Sequence, residues 1–436
     1  MATLRETPNI TSLCSQRREE LMKMRMKRRS ELLKRDINNN QFEQLETLIL
    51  QSNNPTLLLT QNTSIINQAI MAINKDNFQE QLIALRLLHT IISLQIEQCL
   101  VLVQSSFPFL VFLLQSPNNE IVAITSKIVS LICQTSTHFK ERFNSQGIIP
   151  IILEKLSKGF NEILTSISLI QLLSTLTLSN PIGVKLLLNS QVPQMLMQFL
   201  PTINNTKFIS SSLLLLSLIS SDQQFISVCI NQMAFLQYLA VILTTSIQPS
   251  IIAPTLTIIG NFFTISTPSQ LAPFLTPNVI DGLIRIVQRD NVLMSDAVWV
   301  LGNLVSATNF EVVSKVVQSG CLPLLFGLFD NTDDDQLISS LFVTISNIMA
   351  SDNNGSHPFI KCCLELGILE YLIDYLKDNQ TNEFIMLCCD ILKFLFDTVP
   401  DLYQRLKRLN AIELLTDLAQ HHIQIRYLLD QIQWRQ

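Results

Sequence analysis

The chain has 436 residues, 47% of them hydrophobic and 15% charged, with 35 Asp and Glu against 30 Lys and Arg and a mean hydropathy of +0.32. That much apolar material excludes disorder throughout and supplies a large core. Glycine is scarce, at 10 residues with no Gly-x-Gly, so phosphate-cradling loops of the Rossmann or Walker kind have nothing to be built from.

The N-terminal 36 residues hold ten Lys and Arg against five Asp and Glu, which leaves 20 and 30 for the rest. A basic arm therefore precedes an acidic body, an asymmetry that suits an acidic partner or a fold-back onto the body itself. Within the arm, "SQRREELMKMRMKRRSELLKRD" (15–36) interleaves Leu and Met with its charges, as a basic helix formed on contact with a protein would. It has no aromatic residues to stack on bases, so direct nucleic-acid binding is not expected. Next, "INNNQFEQLETLILQSNNPTLLLTQNTS" (37–64) is rich in Asn, Gln, Thr and Ser without a positive charge, and reads as a linker with at most one helical turn.

The body repeats. "SSFPFLVFLL", "QGIIPIILEKL", "SQVPQMLMQFL" and "SGCLPLLFGLF" share a turn followed by an apolar run, with Pro108, Pro150, Pro193 and Pro323 at intervals of 42, 43 and 130 residues. Weaker copies stand at "QMAFLQYLAVIL", "PNVIDGLIRIV" and "ELGILEYLIDYL". Proline fits the first turn of a helix, where its missing N–H costs nothing, and apolar residues then recur at helical spacing. Each unit is two or three helices that cannot bury an apolar face alone, so the units must stack into a solenoid with one extended groove. Runs such as "IIAPTLTIIGNFFTIS" favour strand by propensity, but the repeat register places them in helices.

"SDAVWVLGNLVSA" (295–307) puts Trp299 and Asn303 four apart, on one helix face. Asparagine is a poor residue in mid-helix, because its amide competes for backbone hydrogen bonds. It recurs in the same phase at Asn261 and Asn347, 42 and 44 residues away, a regularity that packing alone does not explain. Trp299 by itself also suits a structural role, and Asp296 suits a solvated carboxylate.

Other polar groups carry less. His421 and His422 lack a second ligand pair at metal spacing, and Asp333, Asp334 and Asp335 form a turn without the ligand alternation of a calcium loop. Nine cysteines are scattered without a Cys-x-x-Cys, which predicts reduced core thiols. No metal, no cofactor and no enzymatic activity are expected. No N-terminal apolar stretch reads as a signal peptide, and "LLLLSLI" (213–219) is too short for a membrane span, so a soluble intracellular protein without membrane contact is expected.

With arm and repeat in view, the sequence resembles importin alpha, the armadillo-repeat adaptor of nuclear protein import. "KMRMKRR" with "ELLKRD" looks like the family's importin-beta-binding segment, and "AINKDNFQEQLIALRLLHTIIS" like its first repeat. "TLTIIGNFF", "DAVWVLGNLVSA" and "LFVTISNIMAS" resemble three successive third helices, whose Trp-x-x-x-Asn pairs hold a nuclear localisation signal. The resemblance implies an all-α fold, a right-handed superhelical solenoid of about eight armadillo repeats over 65–436, after a linker at 41–64 and an arm at 1–40. It implies an arm that binds an importin-beta-type carrier through Arg17, Arg18, Lys23, Arg25, Lys27, Arg28, Arg29, Lys34 and Arg35, or lies in the groove as a mimic of cargo. The cargo groove implied is Asn261, Asp296, Trp299, Asn303 and Asn347, with Thr257 and Val343 at the other two Trp positions. Tryptophan slots take lysine stems, asparagines the peptide backbone, and carboxylates the ammonium groups. Earlier in the chain, Lys127 with Leu131 and Ile170 with Ser174 occupy the matching places, so the retained residues correspond to the family's minor cargo site. An export receptor is a further implied partner, with shuttling between cytoplasm and nucleus. Two rivals stay open: an armadillo scaffold that has lost classical cargo and serves another protein, and an RNA-associated repeat protein.

Overall fold

The structure, a computed structural model, describes residues 40–434 apart from 76, 95–99, 102, 273, 290–291, 353–356 and 379–380. The predicted arm and its basic residues 17–35 lie outside the described residues. Regular structure among the described residues is helical, without a strand. The chain divides into two compact units, one ending at Val192 and the other beginning at Pro193.

Long helices recur with shorter ones between them. In the first unit they are α1 (residues 40–51), α2 (Phe78–Ser93), α3 (Asn119–Thr135) and α4 (Ile163–Thr177). In the second they are α5 (Thr206–Ser217), α6 (Pro249–Ile265), α7 (Met294–Ala307), α8 (Asp335–Ala350), α9 (Asn382–Thr398) and α10 (Ile423–Trp434). Successive long helices pack side by side, α2 on α3 on α4 in the first unit and α5 on α6 on α7 on α8 on α9 in the second. Each thus covers the apolar face its neighbour cannot bury alone.

The punctuation works as the sequence suggests. Pro108, Pro150 and Pro323 lie in the first turns of Phe107–Leu113, Ile148–Ser157 and Cys321–Phe329. The last two helices follow Gly147 and Gly320, whose φ values of 72° and 83° are the left-handed conformation that glycine adopts without strain. At Gly320 the chain turns 67° between Phe310–Gln318 and Cys321–Phe329. Side chains close the helix starts: the Asn118 carbonyl accepts from Glu120 N at 2.9 Å, and the Asp334 carboxylate from Gln336 N at 2.9 Å. Asp334 and its neighbours are exposed, as a turn requires.

Many small hydroxyls sit inside the long helices, and they explain how Ser- and Thr-rich segments stay helical when buried. Ser126 donates to Val122 O and Thr255 to Ile251 O, each at 2.7 Å, so each spends its proton on the preceding turn. Seven free cysteines are described, and burial pushes the thiols of Cys133, Cys229 and Cys321 up to about 12. They behave as small apolar residues.

One expectation is overturned. Residues 41–64 are not a linker: α1 buries Phe42, Leu45 and Ile49, and Pro55–Gln61 and Thr63–Ala72 stand as the two short helices before α2. The Thr90 hydroxyl donates to Glu46 at 2.9 Å, tying α2 to α1 as one long helix to the next. The polar composition misled because its Asn and Gln lie on the exposed face, while apolar residues at helical spacing lie beneath. Long helices α2 to α10 among the described residues make nine, against about eight expected.

Candidate functional site

In the second unit α6, α7 and α8 present one face built from the same register. Asn303 Nδ2 donates to Gly260 O and Asn347 Nδ2 to Gly302 O, both at 3.2 Å, while Asn261 Nδ2 donates to Ser220 Oγ at 2.8 Å. Asn303 and Asn347 therefore fasten their helices to the one before, and Asn261 fastens α6 to the turn that follows α5. The Oδ1 of each accepts nothing among the described residues, which leaves a row of part-exposed acceptors.

Four residues before each asparagine stands a more outward side chain, as the helical repeat dictates. Thr257 is half-buried, Trp299 is 37% exposed and Val343 is 42% exposed. Trp299 lies across the preceding helix: a Cβ built on Gly260 would meet its ring at 2.2 Å. Glycine is needed there so that the indole can lie flat. Gly302 serves the next helix likewise, since a Cβ there would come within 2.7 Å of the Thr344 hydroxyl, which reaches Val298 O at 3.3 Å. "IIGNFF" and "VLGNLV" share the Gly-Asn step because one residue lets the helices approach and the next ties them.

Asp296 is exposed in the first turn of α7, three residues before Trp299 and on the same side. Among the described residues it has no ion-pair partner, and partial desolvation holds its carboxyl above the ordinary aspartate range. A cation placed there would relieve that penalty.

Two members of the row escaped the sequence reading. Leu214 on α5 and Met386 on α9 are 49% and 51% exposed and stand 43 residues before Thr257 and after Val343. Counting outward by one repeat finds them, but an aliphatic residue in an apolar helix gives no sign of exposure. At the far end Met386, Asp390, Lys393 and Tyr427 line a cavity of about 220 Å³ between α9 and α10.

The first unit differs. The Thr175 and Ser130 hydroxyls meet at 3.0 Å, so Thr175 takes the asparagine's place and Gln171, exposed, the tryptophan's. Ile170 and Ser174, the pair expected from proline spacing, are buried, because α4 starts one residue out of that count. Lys127 is exposed and Leu131 half-buried. Arg86 occupies the same row on α2 and pairs with Glu120 at 2.9 Å. Here the exposed carboxylate, Glu120, is paired with Arg86, whereas that of α7, Asp296, is unpaired among the described residues.

No cluster of three or more His, Cys, Asp or Glu that could hold a metal occurs among the described residues. No single helix among them is long and apolar enough to cross a membrane.

No family model matches the sequence, and neither does any curated protein. Solved structures do match. An engineered protein, 14% identical, superposes with a TM-score of 0.72 over 91% of this chain and 95% of its own. The fold is an armadillo-type helical repeat. Two designed armadillo repeat proteins, 16% and 18% identical, superpose with TM-scores of 0.46 and 0.48 over 55% and 56% of this chain and 98% of each of theirs. The first of these two was solved in complex with the peptide (KR)4. At such identities the likeness concerns fold, and function rests on the groove's own residues.

The socket under the indole is open to test. Gly260→Ala is expected to push Trp299 off α6 into water and to cost about 1–3 kcal/mol by overpacking. In a Trp434→Phe background the emission maximum should move to the red. An unmoved spectrum would mean that the ring does not rest on Gly260.

Proposed function

We propose that this chain is an adaptor of nuclear import, which holds a basic segment of a cargo protein in extended form along α6 to α8. Its arm, residues 15–36, would engage an importin-beta-type carrier as a basic helix. The mechanism is reversible binding without bond chemistry. Release follows when the carrier lets go of the arm and the arm competes with cargo for the groove.

The observation that carries this reading is the repeated Asn row with open Oδ1 acceptors, beside a half-exposed indole and the unpaired Asp296 carboxylate. Open acceptors at repeat spacing suit the N–H groups of an extended backbone, which has no partner of its own. An indole face takes the apolar stem of lysine and attracts its ammonium, worth about 0.5–2 kcal/mol.

The test is anisotropy of a labelled two-cluster basic peptide titrated with the full chain in low and physiological salt. Trp299→Ala is expected to weaken binding about tenfold, near 1.4 kcal/mol. Asp296→Asn is expected to weaken it at neutral pH and to match wild type in acid. The sign follows from the raised pKa: the charge that attracts lysine is lost on acidification earlier than from an ordinary aspartate. For the arm, Arg28→Glu with Arg29→Glu should abolish capture of the carrier. Absence of peptide binding by the wild type would rule out the adaptor.

A second reading, a scaffold for another protein, is favoured by the first unit. Lys127, exposed on α3, would repel a lysine-rich segment, and Arg86 on α2 already holds the nearby carboxylate of Glu120. Retained carrier binding with no basic-peptide preference would decide for the scaffold.

A further inference from the structure

The row of outward side chains in the second unit is largely aliphatic. Leu214, Val343 and Met386 are each between 42% and 51% exposed, and only Trp299 among them is aromatic. Scattered exposed aliphatics need no explanation, but these fall at one position of four long helices. Their spacing, 42 to 44 residues per repeat with Thr257 and Trp299 between, places them in one line along the groove.

Charge along that line is uneven. α6 holds no charged residue, α5 holds Lys207 alone, and Asp222 between them caps the start of Gln223–Cys229 by accepting from Gln224 N at 2.8 Å. The groove over α5 and α6 thus offers a lysine no counter-charge. Asp296 on α7 does offer one. On α8 the row shows Val343 without a carboxylate in the adjacent turns, 339–347. On α9 Glu383 is exposed three residues before Met386, as Asp296 is before Trp299, and Asp390 shares a cavity with Lys393 and Met386.

We propose that this groove selects an extended segment with one central lysine or arginine flanked by aliphatic residues, rather than a run of basic residues. The inference rests on the groove reading above and names the class of segment it takes. The basic residue lies over Trp299 beside Asp296. Aliphatic residues on either side cover Val343 and Met386 toward one end and Leu214 toward the other. A lysine set over Val343 would gain contact for its stem only and find no partner for its ammonium. A leucine or valine there removes apolar surface from water on both sides, at about 25 cal/mol per Å² buried.

Three labelled peptides of equal length and serine-alternated pattern test this by anisotropy with the full chain. One carries lysine at every outward position, one carries a single central lysine among leucine and valine, and one carries no lysine. The single-lysine peptide is expected to bind at least tenfold more tightly than either of the others. Val343→Glu, at an exposed position that folding tolerates, is expected to move the preference toward the all-lysine peptide. Equal or tighter binding of the all-lysine peptide by the wild type would overturn the aliphatic selection and leave the groove reading standing. Failure of all three to bind would overturn both.

Discussion

Phe342→Ala is expected to cost about 3–5 kcal/mol, within the range for emptying a buried aromatic site. Phe342 is fully buried in α8, and its ring meets Phe329 at 4.7 Å, Phe384 at 5.6 Å and Tyr375 at 5.9 Å between centroids. Those partners come from Cys321–Phe329, from Ile368–Asp378 and from α9, so one ring joins two consecutive repeats. Repeat stability is roughly a sum of intrinsic and neighbour terms, and a hole at a shared seam weakens both. Urea denaturation followed by circular dichroism should show the second unit's transition moving down by about 1–5 M, given slopes of about 1–3 kcal/mol/M. A shift below about 0.3 M would mean that neighbouring rings refill the space.

Asp352→Ala is expected to be nearly as harmful, for a different reason. Asp352 is 5% exposed, and its Oδ2 accepts from Phe359 N at 2.8 Å and Ile360 N at 3.3 Å at the start of Pro358–Glu365. Alanine would leave two buried donors unpaired, at about 1–3 kcal/mol each before any relaxation. Phe359 also stacks on Phe310 at 5.1 Å, so fraying there loosens the next corner. Asp352→Asn keeps an acceptor in place and is expected to stay within about 1 kcal/mol of wild type. Hydrogen exchange at the Phe359 and Ile360 amides separates the two, with fast exchange in the alanine variant alone. Equal loss in both variants would show that the charge matters and the cap does not.

Much of the fold was legible because the repeat is written in punctuation. Gly147-Ile148 and Gly320-Cys321 open corners, prolines start helices, and the register carried "IIAPTLTIIGNFFTIS" into α6 despite its preference for strand. What could not be read was which polar residues are merely the wet face of a helix. Residues 41–64 carry their buried apolar side chains, such as Phe42, Leu45 and Ile49, three or four apart within polar text, and only stacking against α2 makes that pattern a helix face. At the site, Asn261, Asn303 and Asn347 were legible from phase, and their Oδ1 atoms do face outward. That Nδ2 is spent one repeat back was not, because the partners, the Gly260 and Gly302 carbonyls and the Ser220 hydroxyl, lie 41–45 residues away and leave no mark in sequence. Exposure of Leu214 and Met386 was equally hidden, since an aliphatic residue reads the same on either side of a helix.

The lopsided placement of charge gives ionic strength the properties of a ruler. Coulombic attraction between exposed groups is screened within about 8–10 Å at ordinary salt, whereas apolar contact is not weakened by it. A segment lying over α6 meets a helix without a charged residue, and its affinity should be indifferent to salt. Sliding the same segment one repeat toward α7 brings it to Asp296, and the affinity acquires a slope. Titrating salt rather than mutating residues would then report where along the groove an occupant rests, in the unaltered chain.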